Sequence, residues 1–149
     1  MNKTYSIKPS DIKREWYLID AAEGLSLGKV AAQAATLLLG KGKAQFSSHI
    51  DCGDYVVIIN ADNLKVTGNK LDEKRYYRHS GFPGGLHSRT LREQMDLDST
   101  KVILTAVKGM LPNNKLLDDR LNRLKIYAGT EHAHSAQQPK ELKLMKGKA

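Results

Sequence analysis

The apolar positions of the chain follow two spacings, and the spacing names the elements. Trp16-Tyr17-Leu18-Ile19-Asp20 is rich in aromatic and β-branched residues and predicts a strand. A turn at Glu23-Gly24 follows, and Ser26 stands where it can cap a helix. Leu27, Val30, Ala31, Ala34, Leu37 and Leu38 then make one helical stripe, with Lys29, Gln33 and Thr36 on the other side. Gly40 is placed to end that helix in a left-handed conformation. Tyr55-Val56-Val57-Ile58-Ile59 is a continuous apolar run, the mark of a strand inside a sheet covered by helices. Strand, helix and strand in this order predict a βαβ unit.

The second half is less regular. Leu64-Lys65-Val66-Thr67 is a short alternating segment closed by Gly68-Asn69. Tyr76 to His79 reads as a further strand that leads into a Gly-Pro-Gly loop, and a polar helix is predicted from Arg89 to Met95. Ser99 or Thr100 can cap the next helix, whose apolar face is Ile103, Val107, Met110 and Leu111 and which Pro112 stops. Asn113 or Asn114 opens another helical turn with Leu116, Leu117 and Leu121. Leu124 to Tyr127 reads as the last strand, before Gly129. Residues 1–14 are polar and basic and read as an extended arm, not a packed element. Residues 137–149 read as a basic tail, and 15–136 as one α/β domain. The expected fold is a three-layer α/β/α arrangement around a small, mostly parallel sheet of about four strands.

Charge narrows the partner. Of 149 residues, 24 are Lys or Arg and 16 are Asp or Glu, a formal net charge of +8 that favours a polyanion. The longest aliphatic run, Val56 to Ile59, is far too short to span a bilayer, so no membrane partner is expected. No apolar signal segment is read at the N-terminus. Cys52 is the single cysteine, so no internal disulfide forms, and no second thiol completes a ligand set around it.

Arg75-Tyr76-Tyr77-Arg78-His79-Ser80-Gly81-Phe82-Pro83-Gly84-Gly85 is the stretch with the most chemistry. Arginine forks fit phosphate oxygens, and tyrosine and histidine rings offer faces to unstacked bases. Neighbours in a strand point to opposite faces, so one of Tyr76 and Tyr77 is expected in the core and the other at the surface. Lys74 and Arg75 with Arg78 form the cationic part, and the glycines let another backbone come close. Gly40-Lys41-Gly42-Lys43 is not a phosphate loop, because it follows a helix and lacks the Ser or Thr after Gly-Lys. His132 and His134 lie two apart without a companion cysteine, so an RNA or solvent contact is preferred to a metal. The carboxylates are scattered, and no catalytic grouping or cofactor is assigned.

Several blocks together resemble the bacterial-type family of large ribosomal subunit protein thirteen. They are Trp16 to Ala21, Leu27 to Ala31, Gly40 to Lys43, Asp51 to Ala61, Thr67 to Lys70, Tyr76 to Gly85, Val107-Lys108-Gly109-Met110-Leu111-Pro112 and His132 to Pro139. The chain departs from the family pattern at Leu116-Leu117-Asp118-Asp119, at Ala133, and at Gln45 to His49, where family prolines are missing. The resemblance implies a compact α/β domain, no catalysis, and a structural role. That role is binding large-subunit ribosomal RNA beside neighbouring ribosomal proteins, as a monomer within the particle, supporting subunit assembly and translation. Family motifs fall on Lys41, Lys43, Lys70, Tyr77, Arg78, His79, Gly84, Gly85, Lys108, His132 and His134. Charge and position add Lys74, Arg75, His87, Arg89 and Arg92, with Lys3, Lys8, Lys13 and Arg14 in the arm and Lys140 and Lys143 in the tail. Two other readings compete. One is an RNA-binding regulator acting off the ribosome. The other is a small enzyme for a phosphorylated ligand, which needs a helix N-terminus directly after the Gly81–Gly85 loop and a base such as His87.

Overall fold

Strand β1 (Trp16–Asp20) has a parallel neighbour on each side. In this computed structural model, which describes residues 6–142, β1 pairs with β2 (Tyr55–Ile59) from Trp16 opposite Tyr55 to Asp20 opposite Ile59. Strand β5 (Leu124–Ile126) extends the sheet beyond β2, and β6 (Lys140–Glu141) lies along the far edge of β1, giving the order β5-β2-β1-β6. The fold is α/β, with a four-stranded parallel sheet as the spacing predicts. The two-residue strand β6 comes from the segment read as tail; Tyr17 faces Lys140 and Leu18 faces Glu141.

Pleating sorts the sheet into two faces. Ile19, Val56, Ile58 and Leu124 share one face and join one buried cluster with Val30, Ala31, Ala34 and Leu38 of helix α1 (Leu27–Leu39). Leu91, Val102, Ile103 and Val107 of α3 (Leu91–Met110) and Leu117 of α4 (Leu117–Asn122) enter the same cluster, so the long helices lie on one side. Fully burying a side chain such as Ile58 or Leu38 contributes about 1.5–3 kcal/mol, so this cluster is the main stabilising contact. On the opposite face the Trp16 and Tyr55 rings stack at 4.3 Å, and the ring of His134 lies 5.0 Å from Trp16. The segment that meets those rings is the turn around His134, which leads into the 3-10 turn Ser135–Gln137.

Helix α1 ends as expected, at Gly40 with φ +73°. Its start differs: Ser26 makes no side-chain cap, and the Leu27 N–H donates to the Lys65 carbonyl of the Leu64–Thr67 segment. The run from Leu91 to Met110 is two helices meeting at Asp98, whose backbone is extended. Asp98, not Ser99 or Thr100, caps the second. Its carboxylate accepts the Thr100 N–H at 3.1 Å and the Thr100 hydroxyl at 2.6 Å, and these bonds hold its pKa below the usual aspartate range. The first half starts at Leu91, with a reciprocal box between Thr90 and Glu93. Arg89, read as helical, instead belongs to β4 (Leu86–Thr90), which pairs antiparallel with β3 (Arg75–His79). The single turn α2 (Lys70–Glu73) precedes this hairpin. The described part of the arm is not free of the body: Ile7 is 4% exposed, and Pro9–Asp11 forms a 3-10 turn.

Candidate nucleic-acid interface

The β3–β4 hairpin turns its residues to two faces. Arg75, Tyr77, His79, Leu86 and Ser88 share one; Tyr76, Arg78, His87 and Arg89 share the other. Tyr76 goes inward, packs on the core and has a buried hydroxyl without a partner; burial pushes its pKa up. The Lys74 ammonium lies 5.3 Å from its ring centroid, a cation–π distance. Tyr77 goes outward and is 66% exposed, so the two tyrosines divide as alternation requires. Arg78, His87 and Arg89 border an open groove of about 800 Å3 whose far wall is Gln94 and Lys101 of α3. Lys101 was not a sequence candidate; only the fold brings it to the hairpin.

The loop closes by its own chemistry. Ser80 donates to the Gly85 carbonyl at 3.0 Å, and Gly85 to the Phe82 carbonyl at 3.0 Å. Pro83 and Gly84 are the central residues of that turn. Gly84 has φ +72°, and a Cβ on Gly85 would lie 2.0 Å from the Ser80 hydroxyl oxygen. Both glycines are therefore required by the turn itself. The Gly81 N–H donates to His79 Nδ1 at 2.9 Å, which leaves the proton of the neutral ring on Nε2, facing outward as a donor. Strand β4 follows the loop where a phosphate-ligand enzyme would need a helix N-terminus, so the enzyme reading loses its cradle.

The predicted cations separate by partner. From Lys74 to Arg92 the sequence holds five Lys or Arg and no Asp or Glu. Among the described residues Arg75, Arg78 and Arg89 make no ion pair, and each is exposed. Lys8, Lys13, Lys41, Lys70 and Lys108 are also exposed, and Lys70 joins Lys74 beside Leu27, Val66 and Met110 in a second, more apolar depression. Arg92 pairs with Asp72 at 3.0 Å on the surface, which raises its pKa. Lys140 pairs with Glu15 at 2.9 Å; that bond, with one from the Tyr17 hydroxyl, lowers the Glu15 pKa. Tyr17 is pushed up to about 12 by donating to Glu15. The ring of His134 lies 6.0 Å from that of Tyr127, and the His134 N–H donates to His132 Nδ1, so both histidines belong to the aromatic turn; among the described residues no group of three or more His, Cys, Asp or Glu could hold a metal ion. Lys3 and Lys143 lie outside the described residues.

Lys43 is the predicted contact that the structure assigns to other work. Its ammonium donates to Asp54 at 2.6 Å, the Lys13 carbonyl at 2.8 Å and the Cys52 carbonyl at 3.0 Å, so all three protons are spent inside the protein. It belongs to a charge cluster at the N-terminal end of the sheet. There Asp51 takes both terminal nitrogens of Arg123 and lies 3.6 Å from Arg120 Nε, with Arg14 at 3.9 Å. Arg123 also donates to the Leu38 and Asp54 carbonyls. Arg120 is 1% exposed, and its Nε and Nη1 have no hydrogen-bond partner. Sequence reading missed this cluster. The available signal was an Arg pair three apart among Leu117, Leu121 and Leu124, a basic pair set in a buried stripe.

The family model described as "Ribosomal protein L13" matches residues 14–133, most of the chain. The chain belongs to the ribosomal protein L13 family. A Neisseria meningitidis relative named "Large ribosomal subunit protein uL13" is 52% identical over 142 residues, covering 95% of this chain and 99% of the relative. Proteins of the same name from Maridesulfovibrio salexigens and Kocuria rhizophila are 54% and 52% identical, over 94% and 93% of this chain and 98% and 93% of their own length. L13 proteins are structural, not enzymatic. No helix among those residues is long and apolar enough to cross a membrane.

Proposed function

We propose that the chain is a structural constituent of the large ribosomal subunit and that the β3–β4 hairpin is its main grip on ribosomal RNA. The observation that carries this reading is the hairpin's charge. Three exposed arginines without protein partners stand on the hairpin, Arg78 and Arg89 at the groove and Arg75 on the other face, on a ribbon with no acid from Lys74 to Arg92. Neutralising phosphates there releases counterions, which supplies affinity, while the rigid α/β body fixes orientation. Lys8, Lys13, Lys41, Lys70 and Lys108 add weaker contacts around the body, and neighbouring ribosomal proteins complete the surroundings.

The test has two parts. Tagged chain in a cell lysate is expected to sediment with large subunits; presence only in light fractions would favour a regulator acting off the ribosome. Purified chain is expected to bind large-subunit ribosomal RNA with an affinity that falls by about 0.7–0.9 log units per log unit of salt for each phosphate neutralised. Salt-insensitive binding would overturn the electrostatic scheme.

A further inference from the structure

Phosphate neutralisation leaves part of the hairpin unexplained. Tyr77 is 66% exposed, Leu86 60% and Phe82 75%, all on or beside the face away from the core. Tyr77 stands opposite Ser88 and His79 opposite Leu86, so the two rings and the leucine share one side of the ribbon. An apolar surface held in place like this marks a contact that something covers. Phosphates do not cover rings. A regular RNA duplex does not either, because its bases hide their faces in the stack and present only edges and 2′-hydroxyls. An unpaired base does present a face, and aromatic rings on a strand with cations beside them are suited to hold it. The ribbon's charge favours RNA over an apolar protein surface, since no acid interrupts its cations from Lys74 to Arg92.

We propose that Tyr77, with His79 and Leu86, is a stacking platform for an unpaired base of the bound RNA, and that the phosphates flanking this base lie in the groove beside Arg78, Arg89 and Lys101. The inference rests on the RNA-binding reading of the same hairpin and adds the kind of RNA it takes: a loop, bulge or single-stranded joint. Tyr77 and His79 also border the groove at the ribbon's edge, so a strand with its phosphates in the groove passes both rings. The platform is held from behind by Tyr76 in the core and at its tip by the Ser80–Gly85 bond. The bond from Gly81 to His79 Nδ1 aims the Nε2 proton outward, where it can reach a base edge or a 2′-hydroxyl.

The test uses the full chain with transcribed large-subunit ribosomal RNA, and intact large subunits for crosslinking. Tyr77→Ala is expected to weaken binding by about 5- to 150-fold, the range for losing one stacked base, while Tyr77→Phe binds as the parent does. Crosslinking at 254 nm should join the peptide carrying Tyr77 to a nucleotide that is unpaired in the subunit. That nucleotide should gain reactivity to a base-modifying reagent when Tyr77→Ala is bound. The proposal falls if Tyr77→Ala binds like the parent, or if the crosslinks go to paired nucleotides or to another protein. When Tyr77→Ala binds like the parent but Arg78→Gln with Arg89→Gln weakens the complex, the platform falls alone and the RNA-binding reading stands. If the parent chain binds no RNA, the RNA-binding reading falls first. Tyr77 is exposed, so an unchanged melting temperature confirms that each variant is folded.

Discussion

Two regions of this molecule are built from arginine and lysine, and they use charge in opposite ways. At the N-terminal end of the sheet, Lys43, Arg120 and Arg123 are turned inward onto Asp51 and Asp54 and onto main-chain carbonyls. In the hairpin, Arg75, Arg78 and Arg89 meet no acid and stay in water. Burial makes the first region sensitive to the loss of the carboxylate that Arg120 and Arg123 share, because a buried charge left alone costs several kcal/mol. Exposure makes the second nearly irrelevant to folding, and leaves its donors available to a phosphate. A count of cations does not separate these uses; the position of the nearest carboxylate does.

The largest effect is expected from Asp51→Ala. It strands Arg123 and Arg120 in the interior, and stability measured by urea unfolding should fall by about 3–5 kcal/mol. The converse break is the triple replacement of Arg75, Arg78 and Arg89 by Gln. Stability should stay within about 0.5 kcal/mol of the parent, while the slope of log affinity for ribosomal RNA against log salt drops by about 2. A triple variant that melts early, or keeps the full salt slope, would erase the distinction between the regions. A finer probe is Arg120→Met. The guanidinium has two nitrogens without hydrogen bonds, so an apolar side chain of similar length should cost nothing and should not lower the melting temperature.

The smallest effect concerns pH. Tyr17 in the folded chain has a pKa pushed up to about 12, above its ordinary value of 10, chiefly because its hydroxyl donates to Glu15. A raised acid is protonated more firmly in the folded state. Its contribution is therefore fully present below pH 10 and is lost as pH climbs from 10 toward 12. Ultraviolet titration of tyrosinate should show Tyr17 and Tyr76 ionising late, and in Glu15→Gln only the Tyr17 step moves to lower pH.

Legibility in the sequence followed burial. Strands β1 and β2 and helix α1 were readable because one or both of their faces enter the core, and burial imposes periodicity. Strand β4 has no buried residue, so Leu86-His87-Ser88-Arg89 carries no apolar alternation, and Arg89 was drawn into the following helix. The Thr90–Glu93 capping box was the overlooked local signal. At Asp98-Ser99-Thr100 three good capping residues stand in a row, and only geometry selects the first. Strand β6 is two residues long, and its partner lies more than a hundred positions away. In the interface, adjacency along the chain already grouped Lys74, Arg75, Tyr77, Arg78 and His79. What stayed hidden was non-local: Lys101 added across the groove, and Lys43 withdrawn by Asp54.

The pairing of Tyr17 with Lys140 joins the beginning of the sheet to nearly its last described residues. A chain emerging N-terminus first from its own synthesis therefore holds β1 with one unpaired flank until almost all of it has been made. Over that interval the exposed backbone of Tyr17 and Leu18 is a place where a second nascent copy, or a misplaced strand, could add in place of β6.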